Sequence, residues 1–381
     1  MMKIIIITFT TGVNPGTIMQ ALGVQTAMKS LWSDAQVDFL DFPDFKSGGI
    51  SVRGKKDGII NTIKQKSFAA YRLMKYIKLR KKHFHYSQKV DLFDYTEAQI
   101  AFIKEYDIAV IGSDTILEQA YSQGGMIGLN WMPLPIKKIY FAASASPANF
   151  EPTDELKKVA NEALFIGLRD ELTIKYFIDK LGIDKDRIIK QPDPSYFLDI
   201  SNFKLGRRYA KRFTSEKKYA LYNFNSNFTH RRALADLIRE KGYVVVSTAY
   251  NPYADICIDT IDAFEWAGVF PLVDIVVTER FHDSVFALRN EKPVIAIDWD
   301  PSRFAKGGDS KTLRRLEEYG LKDNHFNLCH SNQLTDISSA LDKVESSFNI
   351  DKVRETNIKM RKKLNEIMAM IKQDRLSLAH N

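Results

Sequence analysis

A strand-to-helix junction late in the chain carries two side chains suited to binding an anion. Arg280 and His282 follow the β-branched run "VDIVVTE" and precede the helix-like stretch "DSVFALRN". A guanidinium group binds a phosphate or carboxylate through two parallel hydrogen bonds, and an imidazole can donate to the same anion or transfer a proton. The alternative is structural, with Arg280 paired to Asp283 or Glu279 and His282 capping the helix. The spacing alone leaves both interpretations open.

Three other predicted strand ends carry polar residues that could face the same cleft. Ser113 and Asp114 follow "IAVIG", and Arg169 follows "FIG". The turn after the first predicted strand, "GVNPGT", adds Asn14, Gly16 and Thr17. In open parallel sheets, ligands bind beyond the carboxyl ends of the strands, where helix N-termini offer free backbone N–H groups. These residues are therefore predicted to contribute to one binding site.

Each of these positions also has a structural interpretation. Asp114 alone would cap a helix, and Arg169 would form a salt bridge with Glu171 or Asp170. The glycine-containing turn lacks both the GxGxxG and the GxxxxGK[ST] spacings. Neither a dinucleotide-binding loop nor a P-loop follows from it. The functional interpretation therefore depends on all of these residues lying at strand ends.

The elements that must position these residues alternate between short buried strands and amphipathic helices. Such β-branched runs are typical of buried parallel strands, and they read "KIIIITFT", "AQVDFLDF", "YDIAVIGSD", "KKIYFAASAS", "ALFIGL", "KYALYNFN", "VVVSTAY", "VDIVVTE" and "KPVIAID". We predict the α/β class, with two doubly wound Rossmann-like domains facing a cleft. The predicted domains are residues 1–205 and 206–350, followed by a C-terminal helix, residues 351–381, that packs across both.

A strongly basic segment, Lys46 to Lys89, does not fit this alternation. It contains interleaved aromatic residues, Phe68, Tyr71, Tyr76 and Phe84. We predict a helical insertion on the first domain, at about residues 46–95. The structural interpretation is a solvated helical hairpin, and the functional one is a patch that contacts anionic lipid or a lipid-linked substrate. No nucleic-acid-binding motif accompanies it, so a nucleic acid partner is not predicted.

Composition limits the classes of function further. The 381 residues carry a net charge of +8, which favours anionic partners. The two cysteines, Cys257 and Cys329, form no CxxC motif, so zinc and iron–sulfur sites are not predicted. Two thiols in a chain of this size are typical of a protein in a reducing cytosol. No apolar run suits a signal peptide or a membrane span. We expect a cytoplasmic protein, with peripheral contact at the inner face of the membrane left open.

The order of these motifs resembles the polysaccharide pyruvyltransferase family. The resemblance covers about residues 12–300 and is carried by "NPGTIMQALGVQTAMKSL", "YDIAVIGSDTI", "KIYFAASAS", "FIGLRDELTIKYF", "QPDPSYFLD" and "VVTERFHDSVFALRNEKPVIAID". The last piece is the most specific because it resembles the family's Arg-x-His segment. The family's acidic strand-end position falls on Asp114, and its arginine after the fourth strand-like run falls on Arg169. The resemblance also implies a glycosyltransferase-B-like fold.

The resemblance implies an enzyme that moves pyruvate from phosphoenolpyruvate onto a sugar diol as a cyclic ketal and releases phosphate. The acceptor would be a bacterial surface polysaccharide, such as an exopolysaccharide or capsule, or its lipid-linked precursor. Neither a cofactor nor a metal is expected. The expected catalytic residues are His282, Arg280 and Asp114. The expected substrate-binding residues are Asn14, Gly16, Thr17, Ser113, Ser144, Arg169 and Glu279.

Some positions depart from the family pattern. Thr115 stands where the family usually has glutamine, and Asp283 stands where a glycine commonly follows the histidine. Around the serines Ser144 and Ser146, Ala145 replaces a common Phe-Gly pattern. These departures leave the acceptor sugar open. They also keep two alternatives, a nucleotide-sugar glycosyltransferase of the same fold and a non-catalytic sugar-phosphate-binding homologue.

Overall fold

The computed structural model shows two parallel sheets with helices packed on their faces. It describes residues 1–41, 59–89, 97–117, 136–145, 151–301, 309–329 and 332–378. Ser146 and the outer parts of the predicted insertion, residues 46–58 and 90–95, lie outside the described residues.

Among the described residues, seven strands form the N-terminal sheet, and every neighbouring pair is parallel. They are β1 (Lys3–Ile7), β2 (Gln36–Asp41), β3 (Tyr86–Lys89), β4 (Ile108–Ile111), β5 (Lys137–Ala143), β6 (Phe165–Leu168) and β7 (Ile188–Lys190). Their spatial order is β3-β2-β1-β4-β5-β6-β7. Ile4 and Ile6 belong to one buried cluster, whereas Ile5 and Ile7 belong to another. Both faces of β1 are therefore covered, which explains its uninterrupted isoleucine run.

In the described part of the C-terminal half, six strands form a second sheet, and its neighbouring strands are again parallel. They are β8 (Lys218–Asn223), β9 (Tyr243–Ser247), β10 (Ile256–Cys257), β11 (Ile275–Thr278), β12 (Val294–Asp298) and β13 (His325–Asn327). Their spatial order is β10-β9-β8-β11-β12-β13. In both sheets the chain runs from the first strand to one edge and then to the other. This is the doubly wound arrangement, and it places all strand carboxyl ends of a sheet on one side.

The described residues include twelve helices, most of which lie between successive parallel strands. They are α1 (Pro15–Leu31), α2 (Ile59–His83), α3 (Glu97–Ile103), α4 (Asp154–Asn161), α5 (Glu171–Asp179), α6 (Arg207–Ala210), α7 (Arg231–Glu240), α8 (Ala263–Ala267), α9 (Phe281–Arg289), α10 (Lys311–Glu318), α11 (Leu334–Leu341) and α12 (Ile350–Leu378). Within the described ranges, no helix combines the length and the apolar character that crossing a membrane requires.

The two sheets share one apolar core beneath the cleft. Ile18 of α1 belongs to the same buried cluster as Trp266 of α8 and Val285 of α9. Trp266 packs edge-on against Phe270 and Phe286, with ring centroids 5.0 and 4.7 Å apart. Because side chains of α1 from the N-terminal sheet pack in the same cluster as those of α8 and α9, the two sheets are held in a defined relation to each other.

A buried arginine adds polar contacts across this junction. Arg289, at the end of α9, donates from Nη1 to the carbonyl of Ser195 at 2.6 Å and from Nη2 to that of Leu198 at 2.5 Å. Burial lowers the pKa of Arg289 to about 10, so the group stays charged at neutral pH. Asn357 of α12 donates to the carbonyl of Leu288 at 2.9 Å. The last helix thus packs against α9, and it also lies against α1.

The basic segment predicted as an insertion differs in the structure. α2 is the connection between β2 and β3, and β3 adds to the edge of the N-terminal sheet in parallel with β2. The sequence did not indicate β3 because "YSQK" is short and polar, as edge strands often are. The described part of the segment is therefore one helix and one strand of the doubly wound fold.

Candidate active site

Four chain segments from the N-terminal sheet meet the start of α9 from the C-terminal sheet. They are the first turn of α1 and the ends of β4, β6 and β7. All follow from the carboxyl ends of parallel strands, which lie at the same edge of the sheet. Side chains far apart in sequence are therefore brought into one buried cluster.

Arg169, which follows β6, is the centre of this cluster. Its side chain is 2% exposed, and Nη1 donates to Gln20 Oε1 at 3.1 Å and to Asp193 Oδ2 at 3.2 Å. Nη2 lies 3.7 Å from Asp114 Oδ1, and the guanidinium lies over the ring of Phe281, 4.9 Å from its centroid. A buried arginine with two carboxylate partners is fixed in position, because breaking either pair would leave a buried charge.

His282 is the second residue of α9 and reaches the same cluster from the other sheet. Its Nε2 lies 3.6 Å from Asp193 Oδ2, an ion-pair distance slightly longer than a hydrogen bond. Its ring packs against Gly16 so closely that a Cβ atom on Gly16 would lie 2.3 Å from the ring's Cγ. The predicted glycine is therefore required by close approach of the imidazole. The helix begins at Phe281, two residues earlier than predicted, so Arg280 is its N-cap.

Asp193 faces both the Arg169 guanidinium and the His282 imidazole, and it has no exposed surface. Burial by itself raises the pKa of a carboxyl group. Contact with His282 and the charge of Arg169 outweigh burial and hold the pKa of Asp193 well below its ordinary value of 3.8. Asp193 is therefore ionised, and it links Arg169 of one sheet to His282 of the other.

Asp114 holds a second carboxylate in the cluster. Its backbone φ is 71°, in the left-handed region that aspartate tolerates better than most residues. Oδ2 accepts from Thr17 Oγ1 at 3.0 Å, and Oδ1 accepts from the Thr115 N–H at 2.9 Å. Burial raises the pKa of Asp114, but Arg169 and then His282 outweigh that effect, so the pKa lies below 3.8. Thr17 and Asp114, which were each predicted to belong to the site, are thus in direct contact.

Arg280 lies apart from this cluster. Its Nη2 donates to Asn225 Oδ1 at 3.4 Å, and among the described residues it forms no ion pair with Glu279 or Asp283. Glu279 is fully buried and accepts from the Asn225 N–H at 3.0 Å and from Trp299 Nε1. Asp283 is also buried, and burial raises its pKa above 3.8 despite the nearby charge of Arg280. Arg280 and His282 therefore point to different sides of the start of α9.

The remaining predicted residues have supporting contacts. Asn14 is exposed and caps α1, where its Oδ1 accepts a first-turn N–H at 3.1 Å. The carbonyl of Ser113 accepts from Thr8 Oγ1 at 2.8 Å. Ser144 donates from Oγ to Asp170 Oδ2 at 2.6 Å, and Asp170 caps α5. These contacts stabilise the strand ends. Ser144 is fully buried and does not line the cleft, which it reaches only through Asp170.

A small cleft that is open to solvent lies beside the cluster. Its lining among the described residues is Arg169, Asp170, Glu171, Lys190, Phe281, Lys311, Arg314, Arg315 and Glu318. Cations outnumber carboxylates in this set, so the cleft is suited to an anion. Within the same ranges, no group of three or more His, Cys, Asp or Glu side chains is arranged to hold a metal ion.

Residues 14–301 match the family described as "Polysaccharide pyruvyl transferase". The chain belongs to the polysaccharide pyruvyl transferase family. The match includes the strand ends after β4, β6, β7 and β11, so all parts of the cluster fall within the family region. Among curated proteins, no relative matched the sequence.

Solved structures place this pyruvyl transferase family member in the glycosyltransferase-B fold. A UDP-GlcNAc 2-epimerase from Neisseria meningitidis, bound to UDP-GlcNAc, is 10% identical with a TM-score of 0.60, over 99% of this chain and 100% of that one. A glycosyltransferase from Rickettsia africae is 13% identical with a TM-score of 0.51, over 99% and 97%. The predicted fold class is confirmed. At these identities the likeness concerns the fold alone.

Several residues of the cluster were not predicted. Asp193 was seen only as part of the proline-rich "QPDPSYF", because β7 is three residues long and was not recognised as a strand. Gln20 lies within α1, where a polar residue gives no signal of its own. The helix α10, "SKTLRRLEE", is the next described helix after β12, and its basic residues could have been predicted by the same strand-end reasoning. Lys311, in this helix, lies near Asp114 and lowers its pKa together with stronger neighbours.

Proposed function

We propose that this family member transfers pyruvate from phosphoenolpyruvate onto two hydroxyls of a sugar as a cyclic ketal, with release of phosphate. The proposed acceptor is a bacterial surface polysaccharide or its lipid-linked precursor. One observation carries the proposal: Arg169, His282, Asp193 and Asp114 meet beside a cation-rich cleft between the two sheets. Phosphoenolpyruvate carries both a carboxylate and a phosphate, so it fits such a cleft electrostatically.

The reaction has clear chemical demands. A proton must add to the terminal methylene of the enol, which leaves a cation-like central carbon. A sugar hydroxyl forms a bond to that carbon and loses its proton, and phosphate departs with the electron pair of the broken C–O bond. A second hydroxyl then forms the second C–O bond and loses its proton. The site must therefore supply cationic groups, a general acid and a group that binds the hydroxyls.

We assign the general acid and phosphate contact to His282. Its imidazole lies at the junction of the sheets, and Asp193 fixes its orientation from a distance of 3.6 Å. Asp193 is ionised and fully buried, so it can stabilise an imidazolium without exchanging protons with solvent. Asp193 acts through His282, which makes it a positioning residue in this proposal.

Asp114 is assigned to the acceptor. Its lowered pKa makes it a weak general base, since a good base has a pKa nearer the working pH. We therefore assign it the role of accepting a hydrogen bond from a sugar hydroxyl, with Thr17 and the Thr115 N–H holding the carboxylate. Arg169 fixes this carboxylate and contributes positive charge. Arg280 is assigned to the anion clamp from the opposite side of the start of α9.

Two substitutions test this assignment. His282→Ala should abolish phosphate release and ketal formation, because it removes the proposed acid. Arg280→Lys should raise the KM for phosphoenolpyruvate, since an ammonium cannot replace the planar fork of a guanidinium. His85→Ala is a matched control, because His85 precedes β3 at the opposite, amino end of the strands and its side chain is 72% exposed.

The assay supplies phosphoenolpyruvate with a panel of lipid-linked galactosides, mannosides and hexosamines. Phosphate release is measured, and products are identified by mass spectrometry. Substantial ketal formation by His282→Ala would remove His282 from the mechanism, and an unchanged donor dependence would remove Arg280 from the clamp. Release of a nucleotide from a nucleotide sugar would instead support the glycosyltransferase alternative. Binding of phosphoenolpyruvate without phosphate release, with every acceptor, would support a non-catalytic homologue.

A further inference from the structure

We infer that the outward face of α2 is a docking surface for the polar face of a membrane that contains anionic lipid. The sequence of this helix, Ile59–His83, contains eight lysines and arginines and no aspartate or glutamate. A soluble helix usually mixes both charge signs on its exposed side. Such a concentration of one sign calls for an anionic partner.

The inward face of α2 is anchored to the body of the protein. Tyr76 is completely buried in the core shared by the two sheets. Lys75 forms an ion pair with Glu265 of α8 at 2.6 Å, and Arg80 donates to the carbonyl of Gly12 at 2.9 Å. The helix is thus fixed in rotation, which determines the side chains that point away from the protein.

The outward face combines apolar and basic side chains. Four large apolar residues are between 38% and 61% exposed, namely Phe68, Tyr71, Met74 and Ile77. The following turns of the helix expose Lys78, Lys81 and Lys82. At 3.6 residues per turn, Tyr71, Met74, Lys78 and Lys81 lie along one side of the helix. We call this set of seven residues the outward face of α2.

This combination favours a lipid surface over other anionic partners. Apolar side chains can enter the boundary between headgroups and acyl chains, while lysines extend their stems and keep their charges among the headgroups. Anionic lipids attract each basic residue near the surface. A nucleic acid would use the lysines and could stack on Phe68 and Tyr71, but it would leave Met74 and Ile77 exposed to water.

The position of α2 connects this surface with the candidate active site. Arg80 holds the loop after β1, and this loop leads directly to Asn14 and Gly16 at the start of α1. Docking through α2 would therefore keep the cleft close to the bilayer, where a lipid-linked sugar is held. Delivery of the acceptor rests on the proposed function, whereas binding of lipid by α2 does not.

The test is vesicle co-sedimentation of the full chain, without phosphoenolpyruvate or acceptor. We expect binding to vesicles of phosphatidylcholine mixed with phosphatidylglycerol, and weak binding to phosphatidylcholine alone. The triple variant Lys78→Glu, Lys81→Glu and Lys82→Glu should lower the partition coefficient by more than about a hundredfold, since each lost basic residue accounts for about fivefold and each new glutamate is in addition repelled by the anionic surface. The double variant Tyr71→Ser and Met74→Ser should lower it independently of charge.

The matched control reverses three exposed lysines at the opposite edge of the N-terminal sheet, Lys158, Lys175 and Lys185. It has the same net charge as the α2 triple variant and should bind vesicles like the unmodified chain. Equal losses in both triple variants would overturn the proposal, because net charge and not α2 would then govern binding. Two other results would also overturn it. One is equal binding of the unmodified chain to neutral and anionic vesicles. The other is an α2 triple variant that loses binding to single-stranded nucleic acid but keeps its binding to anionic vesicles. Thermal melts show whether each variant is folded.

The vesicle test and the proposed function can fail separately. The α2 triple variant should turn over a water-soluble sugar acceptor like the unmodified chain, and it should lose activity only on a lipid-linked acceptor in vesicles. Vesicle binding without any pyruvyl transfer would support α2 as a docking surface and reject the proposed reaction. Transfer without vesicle binding would support the reaction and reject the docking surface.

Discussion

Substitution of Gly16 by alanine tests the contact on which the candidate active site depends. A Cβ atom at this position would lie 2.3 Å from Cγ, 2.4 Å from Nδ1 and 2.5 Å from Cβ of His282. The colliding atoms lie at the base of the side chain, so rotation about χ2 cannot move all of them away. An ordinary van der Waals contact needs at least about 3.4 Å, so α1 and α9 must separate by about 1 Å.

The expected magnitudes follow from this displacement. Overpacking of this kind costs about 1–3 kcal/mol of unfolding free energy, and alanine in place of glycine in a helix returns at most about 1 kcal/mol. A shift of about 1 Å in a positioned catalytic group can lower the rate about a hundredfold. We therefore expect Gly16→Ala to lower kcat/KM strongly while the chain remains folded.

A double-mutant cycle with His282→Gly isolates the contact, because glycine removes both the imidazole and the Cβ atom that lies 2.5 Å from the new methyl group. In that background Gly16→Ala should no longer destabilise the protein, which gives a coupling free energy of about 1–3 kcal/mol. Urea denaturation of the four proteins in the cycle measures this coupling free energy without any assumption about the reaction. Gly206→Ala is the control, because its Cβ would meet the carboxylate end of Glu265 and not His282. A coupling free energy near zero would show that the imidazole does not lie against Gly16.

Further predictions concern two buried charged residues. The pKa of Asp193 is lowered on folding, so its stabilising contribution is present above pH 3.8 and is lost as pH falls towards the folded-state pKa. Asp193→Asn should therefore reduce the acid dependence of the unfolding free energy below about pH 4, by up to about 1.4 kcal/mol per pH unit. Urea titrations measure the unfolding free energy at each pH, and equal slopes against pH in the variant and the unmodified chain would contradict this prediction. Arg289→Met should destabilise the chain by about 2 kcal/mol or more, because two buried carbonyls, those of Ser195 and Leu198, lose their donors. Arg289→Lys should lose less, and an unchanged urea midpoint in Arg289→Met would show that the junction does not depend on these bonds.

The strands that the sequence predicted are those buried on both faces. A strand that is buried on both faces needs apolar residues at successive positions. The isoleucines of β1 and the valines of β9 and β11 meet this need, so the apolar pattern and the β-branched residue type both predict a strand there. The strands it missed, β3, β7, β10 and β13, are two to four residues long, and each lies at the edge of its sheet. Edge strands need few apolar residues, and their pairing depends on neighbours distant in the chain.

For the candidate site, the sequence determined the residue types at the strand ends, because a doubly wound sheet brings polar residues after its strands to one edge. Thr17, Asp114, Arg169 and His282 were predicted in this way. Only the tertiary structure decided which of them touch. In the structure Arg280 contacts Asn225, whereas His282 lies beside Asp193, which the sequence had not predicted. The rotation of α9 and the packing of the two sheets decide these contacts, and both depend on residues across the whole junction. Local sequence carries no record of those contacts.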